Sequence, residues 1–356
     1  MLLRDGTWRK IEDLADGNFH ELLTWNLHQP ALKPVTGRVT ANGKRPVIRF
    51  HLANGHKIGV TQEHPLCAAD DVQWRQAQNL KVGDRIVCLR HLELESTTPE
   101  SDVPSEEAEI LGYLLAGEVR GRRVFVRKLW KSEHWSSRRA RMFKKAMWEL
   151  VDHDRDWLEV VLSKSADSTD MHPYVFINQL VTIQDKYPVD LSPEIWRLHK
   201  TGLQRLLTAF FVTAFCDPRR KIWTRGRTVG VSDKRYPKGF VHKCYETGDM
   251  IRRLALRLGV SVIIKQDYYF TKEWLISVPN PQVKIFYPSK VEYSEQIPLM
   301  EAVEIVKIEH AEAETWAVEI LDSEHSYISG GVLSHNTTQM IGHVLWRLGK
   351  DPNISI

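Results

Sequence analysis

Tyr327-Ile328-Ser329-Gly330-Gly331-Val332-Leu333-Ser334-His335-Asn336-Thr337 is the stretch on which the reading of the chain turns. A short apolar strand ends in His-Asn, and a hydroxyl residue follows at once. That order lets the backbone react with itself. The Asn336 side-chain nitrogen can reach its own main-chain carbonyl, close a five-membered succinimide and break the peptide bond to Thr337. An amide is a poor nucleophile, and ring closure compensates by supplying proximity without loss of translational freedom. His335 can hydrogen-bond to, or protonate, the carbonyl under attack. Thr337 carries an Oγ able to accept an acyl group. Taken alone, Ser-His-Asn-Thr is more often an ordinary polar turn after a strand, so the rest of the chain has to carry the reading.

A chain of 356 residues, 42% hydrophobic and 26% charged, predicts two or three globular domains with real cores. No apolar run is long enough to span a membrane, and the N-terminus lacks a signal peptide's layout. Cys67, Cys88, Cys216 and Cys244 are too few and too scattered for a disulfide framework, and no Cys-x-x-Cys spacing suggests zinc. These features predict a monomer in a reducing cytoplasm, with no membrane partner.

Both ends of the chain read as β-structure. Asp5-Gly6 is a hairpin signal, and short alternating runs follow at Leu22–Trp25, Lys33–Thr40, Val47–Leu52, Lys57–Thr61 and Asp84–Leu89. Asn42-Gly43 and Asn54-Gly55 between such runs predict two more tight hairpins. Near the C-terminus, Val306–Glu309 and Thr315–Ile320 read as a pair of strands. The intervening sequence changes pattern after a polar, Pro-containing linker at 93–104. Helices are expected over Glu106–Leu115, Arg138–Leu150, Leu203–Phe211 and Met250–Leu258, the last capped by Gly259. Strands are expected over Val124–Lys128, Lys221–Val231 and Trp274–Val278.

Gly59-Val60-Thr61-Gln62-Glu63-His64-Pro65-Leu66, followed by Trp74 to Asp84, resembles the second block of intein splicing domains, which have the Hint fold. The opening Asp-Gly turn with Ile11-Glu12-Asp13-Leu14 resembles the first block, and residues 298–337 resemble the last ones. The resemblance implies a mixed architecture: an all-β Hint splicing domain interrupted by an α/β insert. The boundaries it implies are 1–92 and 298–336 for the Hint halves, 93–104 for the linker, 105–297 for the insert and 337–356 for the downstream flank. It further implies protein splicing without any cofactor. Thr61 and His64 match the pair that strains and protonates the upstream scissile amide. His335 and Asn336 match the terminal pair, His325 the histidine that assists them, and Thr337 the downstream acyl acceptor. The family's first residue is Cys or Ser, whereas residue 1 here is Met. The variant that dispenses with this nucleophile carries a Cys and a Trp where this chain has Ala317 and Leu66. The expectation is therefore an intein whose first strand is missing from the sequence, limited to cleavage at Asn336-Thr337.

Within the insert, Ile110 to Glu118 resembles the first helix of a LAGLIDADG homing endonuclease, and Leu207 to Asp217 the second. In that family each motif ends in a metal-binding carboxylate. Here those positions hold Gly117 and Ala214, with Glu118 and Asp217 displaced, which predicts a decayed nuclease that would need Mg²⁺ only if still active. Arg120 to Lys145 holds eleven Lys or Arg against the single acid Glu133, and a second basic cluster follows the second motif. Arg120, Arg122, Arg123, Arg127, Lys128, Arg219, Arg220, Lys221, Arg225 and Arg227 are the candidates for contacts to double-stranded DNA. The alternative is an active site-specific endonuclease carried by an inert Hint domain. A third reading is an inert Hint remnant that only binds DNA. The flank 337–356 reads as an amphipathic helix leading into a strand. It resembles the segment after the phosphate loop of a phage terminase large subunit, implying a host protein of that kind in a bacterial cell.

Overall fold

The structure is a computed structural model and describes residues 1–27, 29–94, 100–115, 118–120, 123–127, 157–161, 181–184, 187–215, 238–242, 245–266, 274–278, 299–323 and 325–336. The chain divides into two compact units, Met1–Leu94 with Ile297–Ile356, and Glu95–Gln296.

The described residues of the first unit are all-β apart from two single 3₁₀ turns, Glu12–Leu14 and Ala77–Asn79. Its strands are β1 (Phe19–Asn26), β2 (Ala31–Leu52), β3 (Lys57–Thr61), β4 (Pro65–Ala68), β5 (Gln73–Gln76), β6 (Arg85–Leu89), β15 (Met300–Ile320), β16 (Ser326–Ser329) and β17 (Val332–His335). They form one sheet in the order β1-β2-β15-β6-β17-β4-β5, with β3 on β2 and β16 on β17. Two very long strands, β2 and β15, pair antiparallel and carry a core at either end. Ile48, Phe50, Leu52, Val303 and Ile305 face one core with Leu66, Ile86 and Val332. Val35, Val39, Val318 and Ile320 face the other with Leu14, Leu22 and Tyr327. Alternation at period two places these apolar side chains on the buried face of the pleat.

Two sequence expectations fail here. Asn42-Gly43 is not a hairpin, because β2 runs straight through it. Thr315 pairs with Gly43 and Trp316 with Ala41, so Asn42 is an extra residue, and Gly43 takes φ +73°. That is a bulge, whose positive φ glycine satisfies locally as it would in a turn. The Thr315 hydroxyl donates to the Gly43 carbonyl at 2.8 Å and fixes the irregularity. Likewise Val306–Glu309 and Thr315–Ile320 do not pair with each other. They belong to the single strand β15, which lies along β2 over nearly its whole length. Asn54-Gly55 does turn the chain between β2 and β3, with Gly55 at φ +85°. Asp5-Gly6 also turns tightly, and the Leu3 amide donates to the Thr7 carbonyl at 2.9 Å.

The second unit contains α1 (Ser105–Leu115), a single helical turn at Pro193–Trp196, α2 (Lys200–Phe215) and α3 (Tyr245–Leu256). Its strands are β7 (Glu118–Arg120), β8 (Arg123–Arg127), β9 (Trp157–Val161), β10 (Val181–Gln184), β11 (Tyr187–Leu191), β12 (Lys238–His242), β13 (Ile263–Gln266) and β14 (Trp274–Val278). They form small sheets ordered β7-β8-β9, β10-β11 and β12-β14-β13. Both α2 and α3 begin earlier than the apolar periodicity predicts. In α3 the added turns hold Asp249, whose buried carboxylate accepts from Arg252 at 2.8 Å and Arg253 at 2.5 Å. The helix ends as expected, with Gly259 at φ +63° and the Val260 amide donating back to the Ala255 carbonyl at 3.0 Å. The helix expected over 138–150 and the strand expected over 221–231 lie outside the described residues, as does the flank 337–356. No described helix is long and apolar enough to cross a membrane.

Helices α1 and α2 meet backbone to backbone. A Cβ built on Gly112 would lie 2.1 Å from the Leu206 carbonyl oxygen and 2.9 Å from the Ala209 Cβ. No side chain fits that gap without spreading the pair. Gly112→Ala is expected to destabilise the second unit by about 1–3 kcal/mol, read as a lower urea midpoint with the first unit's transition unchanged.

Candidate functional site

The site forms where β17 is inserted between β6 and β4. Gly330 and Gly331 make the two-residue turn before it, at φ +55° and +86°. Both central residues of such a turn need positive φ, which only glycine supplies cheaply. The resulting hairpin pairs Ser326 with His335, Tyr327 with Ser334, Ile328 with Leu333 and Ser329 with Val332. On its far side Ser334 pairs with Leu66 of β4, and the Leu89 amide at the end of β6 donates to the Gly331 carbonyl at 2.7 Å.

This register aligns the chemistry. One step beyond the hairpin pair Ser326–His335, the Asn336 amide donates to the His325 carbonyl at 2.6 Å. Across β4, His64 lies close enough to His335 for the charge that His335 can carry to act on it. His64 sits in the bend between β3 and β4, held by its amide to the Thr61 carbonyl at 3.1 Å and by the Ala77 amide to its own carbonyl at 2.9 Å. Thr61, His64, His325, His335 and Asn336, read from both ends of the sequence, thus stand in one neighbourhood. Thr337 lies outside the described residues.

The imidazoles contact one another and their aromatic neighbours. The His325 and His335 ring centroids are 6.1 Å apart, His64 meets Tyr327 edge-on at 6.5 Å, and Trp74 lies 4.8 Å from His335. Asn336 is buried, with 3% of its surface exposed. The rings are half-buried, but His64 Nε2 and His325 Nδ1 are enclosed without a hydrogen-bond partner among the described residues, as is Ser334 Oγ. A polar atom left so costs stability unless something else occupies the space beside it. His325 is also held at φ +51°, a left-handed conformation that an L residue seldom adopts outside strained sites. Beneath it, the Thr24 and Ser326 hydroxyls bond at 2.7 Å and tie β16 to β1.

Electrostatics favour neutral His64 and His335. Burial, reinforced by the charge that His335 can carry, pushes His64 down to about 4 from 6.5. Burial also lowers His335, and a hydrogen bond with the Asn336 backbone partly offsets it before His325 lowers it further. Burial pushes the Cys67 thiol up to about 11, so it is not a thiolate at neutral pH, and neither Cys67 nor Cys88, both buried, is in a disulfide.

The nuclease candidates fare differently. Helix α1 spans Ser105–Leu115, and Glu118 opens strand β7 with its backbone paired to Phe125. Asp217 lies outside the described residues. So do Arg122, Lys128, Arg219, Arg220, Lys221, Arg225 and Arg227. Arg120 and Arg123 pair across β7 and β8, and Arg127 pairs with Trp157 of β9. No cluster of three or more His, Cys, Asp or Glu suited to a metal occurs among the described residues. Sequence reasoning passed over Ser334, Tyr327 and Trp74 as members of the site. The first two were quoted in the decisive stretch, yet their positions next to Leu66 and His64 appear only with the strand register.

No family model matches the chain. A replication factor C small subunit from Methanocaldococcus jannaschii is 29% identical over 116 residues, 30% of this chain and 6% of that protein. Among solved structures, a DnaB intein from Synechocystis sp. PCC 6803 is 26% identical, with TM-score 0.22, over 24% of this chain and 60% of that one. The Pyrococcus horikoshii PolII mini-intein is 14% identical, with TM-score 0.12, over 26% of this chain and 64% of that one. The chain therefore spans less than two thirds of each.

Because the native state disfavours a charged His64, the unfolded chain takes up its proton first on acidification. Stability from this residue is full above pH 6.5 and is lost as pH falls through about 4, by up to ~3 kcal/mol. Urea unfolding of the first unit between pH 7 and 4 should show that fall, and His64→Gln should flatten it.

Proposed function

We propose that the chain is a self-processing intein-type element that cleaves its own backbone between Asn336 and Thr337. The observation that carries this reading is the convergence of His325, His335, Asn336 and His64 in one buried neighbourhood, though His64 and Asn336 come from opposite ends of the sequence. A polar turn with no chemistry gives no reason for His325 and His335 to meet beside a buried asparagine.

In the reaction, Asn336 Nδ2 attacks the Asn336 carbonyl carbon. A new C–N bond closes the succinimide as the bond to the Thr337 nitrogen breaks. One proton leaves Nδ2 and one arrives at the departing amine. His335, adjacent to the scissile bond, and His325, joined to Asn336 through its carbonyl, are the groups placed to move these protons. A neutral His335 suits the role of acceptor. Thr61 and His64 would act on the upstream amide and Thr337 Oγ would receive the upstream acyl group, which also needs a nucleophile preceding the first strand. Splicing on this reading uses no cofactor, and the chain's own flanks are its substrates. The flank 337–356 would belong to a terminase-type ATPase in a bacterial cell, a reading supported by its residue order alone.

The second unit, on this proposal, is an insert of LAGLIDADG type that binds duplex DNA without cutting it. Its support is the close pairing of α1 with α2 at Gly112 and Ala209, each helix leading into a small three-stranded sheet. Metal-dependent cleavage would require a carboxylate at the end of each helix, where the sequence has Gly117 and Ala214.

Held near neutral pH, the purified chain should release a fragment spanning 337–356, identified by intact mass, and Asn336→Ala should abolish release. An unchanged mass after prolonged incubation would overturn the reading. DNA carrying the uninterrupted host sequence should be retarded in a gel shift but stay intact with Mg²⁺, whereas a unique nick would establish an active nuclease instead.

A further inference from the structure

We infer that Trp74 is a positioning residue for the Asn336–Thr337 cleavage, its indole holding the His335 imidazole at the bond to be broken. The inference rests on the self-cleavage reading above. The two rings lie 4.8 Å apart, centroid to centroid, at an interplanar angle of 58°. That separation is within the range of attractive aromatic pairs.

Trp74 reaches His335 across an intervening strand. It stands on β5, at the edge of the sheet, opposite Cys67 of β4, and β4 in turn neighbours β17. The β4 positions on the same face as the two rings are Pro65 and Cys67, both short, which leaves room for an indole to lie over them. Among the described residues Trp74 is in neither of the two core clusters given above and is only half-buried, so filling those cores does not explain it. His335 is itself half-exposed at the open end of β17, one residue before the reacting asparagine. Without a wall on that side its ring is free to rotate into solvent. An imidazole misplaced by ~1 Å can cost orders of magnitude in rate.

The ionisable groups facing His335 are His325 on the β16 side and His64 on the β4 side. Tyr327 beside His64 is buried and stays neutral. Arg75, the neighbour of Trp74, alternates to the opposite face and is occupied by Asp71 at 2.5 Å. Removing the indole therefore changes chiefly the hydration of His335, relieving the burial that depresses its protonation.

Fragment release by wild type, Trp74→Phe and Trp74→Ala, followed by mass spectrometry across pH, tests the rate. Titration of the His335 ring by NMR in an Asn336→Ala background, where the chain stays intact, tests the contact. Trp74→Ala should slow release at least about tenfold and move the His335 midpoint upward, while Trp74→Phe keeps both near wild type. Wild-type rate and midpoint in Trp74→Ala would overturn the inference. So would slower release with an unmoved His335 midpoint, the mark of a merely structural tryptophan. If wild type releases nothing, the self-cleavage reading falls. A midpoint that still rises in Trp74→Ala would then support the hold on His335 independently, and an unmoved one would overturn that too.

Discussion

The insertion of β17 between β6 and β4 is the constraint on which the first unit depends. It requires the chain to reverse within two residues, and Gly330-Gly331 supplies the two left-handed conformations that make this possible. Once reversed, the strand contributes Val332 to one core while its partner β16 contributes Tyr327 to the other. The hairpin thus locks together two hydrophobic clusters and, at its open end, brings Asn336 to the His325 carbonyl and His335 to the side of His64. Packing energy fixes the register, and a slip of one residue would turn Ser334 and Asn336 away from the faces they occupy. Side-chain placement at the site is a by-product of burying Val332 and Leu333.

That burial also sets the chemical character of the neighbourhood. Enclosed imidazoles lose more by being charged than solvated ones do, and each ring's charge further penalises the next. The left-handed backbone at His325 and the unpartnered His64 Nε2, His325 Nδ1 and Ser334 Oγ among the described residues are costs that the two cores absorb. Such costs gather where geometry serves chemistry better than stability. The Thr24–Ser326 bond shows how they are contained, since it anchors the strand next to His325 with a fully buried hydroxyl pair.

Much of this was legible in the residues. Strands β3 and β14 coincide with the runs Lys57–Thr61 and Trp274–Val278, because alternation bounded by turns is a local signal. The histidines proposed for the site were also visible as candidates, each at or next to a strand end. The continuity of β2 through Asn42-Gly43 was not. A glycine at positive φ looks the same in a hairpin and in a bulge, and only the partner strand β15, more than two hundred residues away in sequence, distinguishes them. The same long range hid Trp74, which reaches His335 only after β4 and β17 have paired. The early start of α3 was hidden for another reason. Its first turn is mostly polar, and the ion pairs of Asp249 with Arg252 and Arg253 tie the end of that turn to the rest of the helix.

The pairing of β2 with β15 has a consequence for when the molecule can act. β2, β4 and β6 emerge from the ribosome early, while β15 and β17 emerge only after the whole second unit has been made. Until then β2 has only β1 and β3 beside it, and His64 has no His335 to meet. On the proposed reading, bond breakage is thereby scheduled by translation itself. The polypeptide carries its own clock, wound by the length of the insert and released when the last strand clears the exit tunnel.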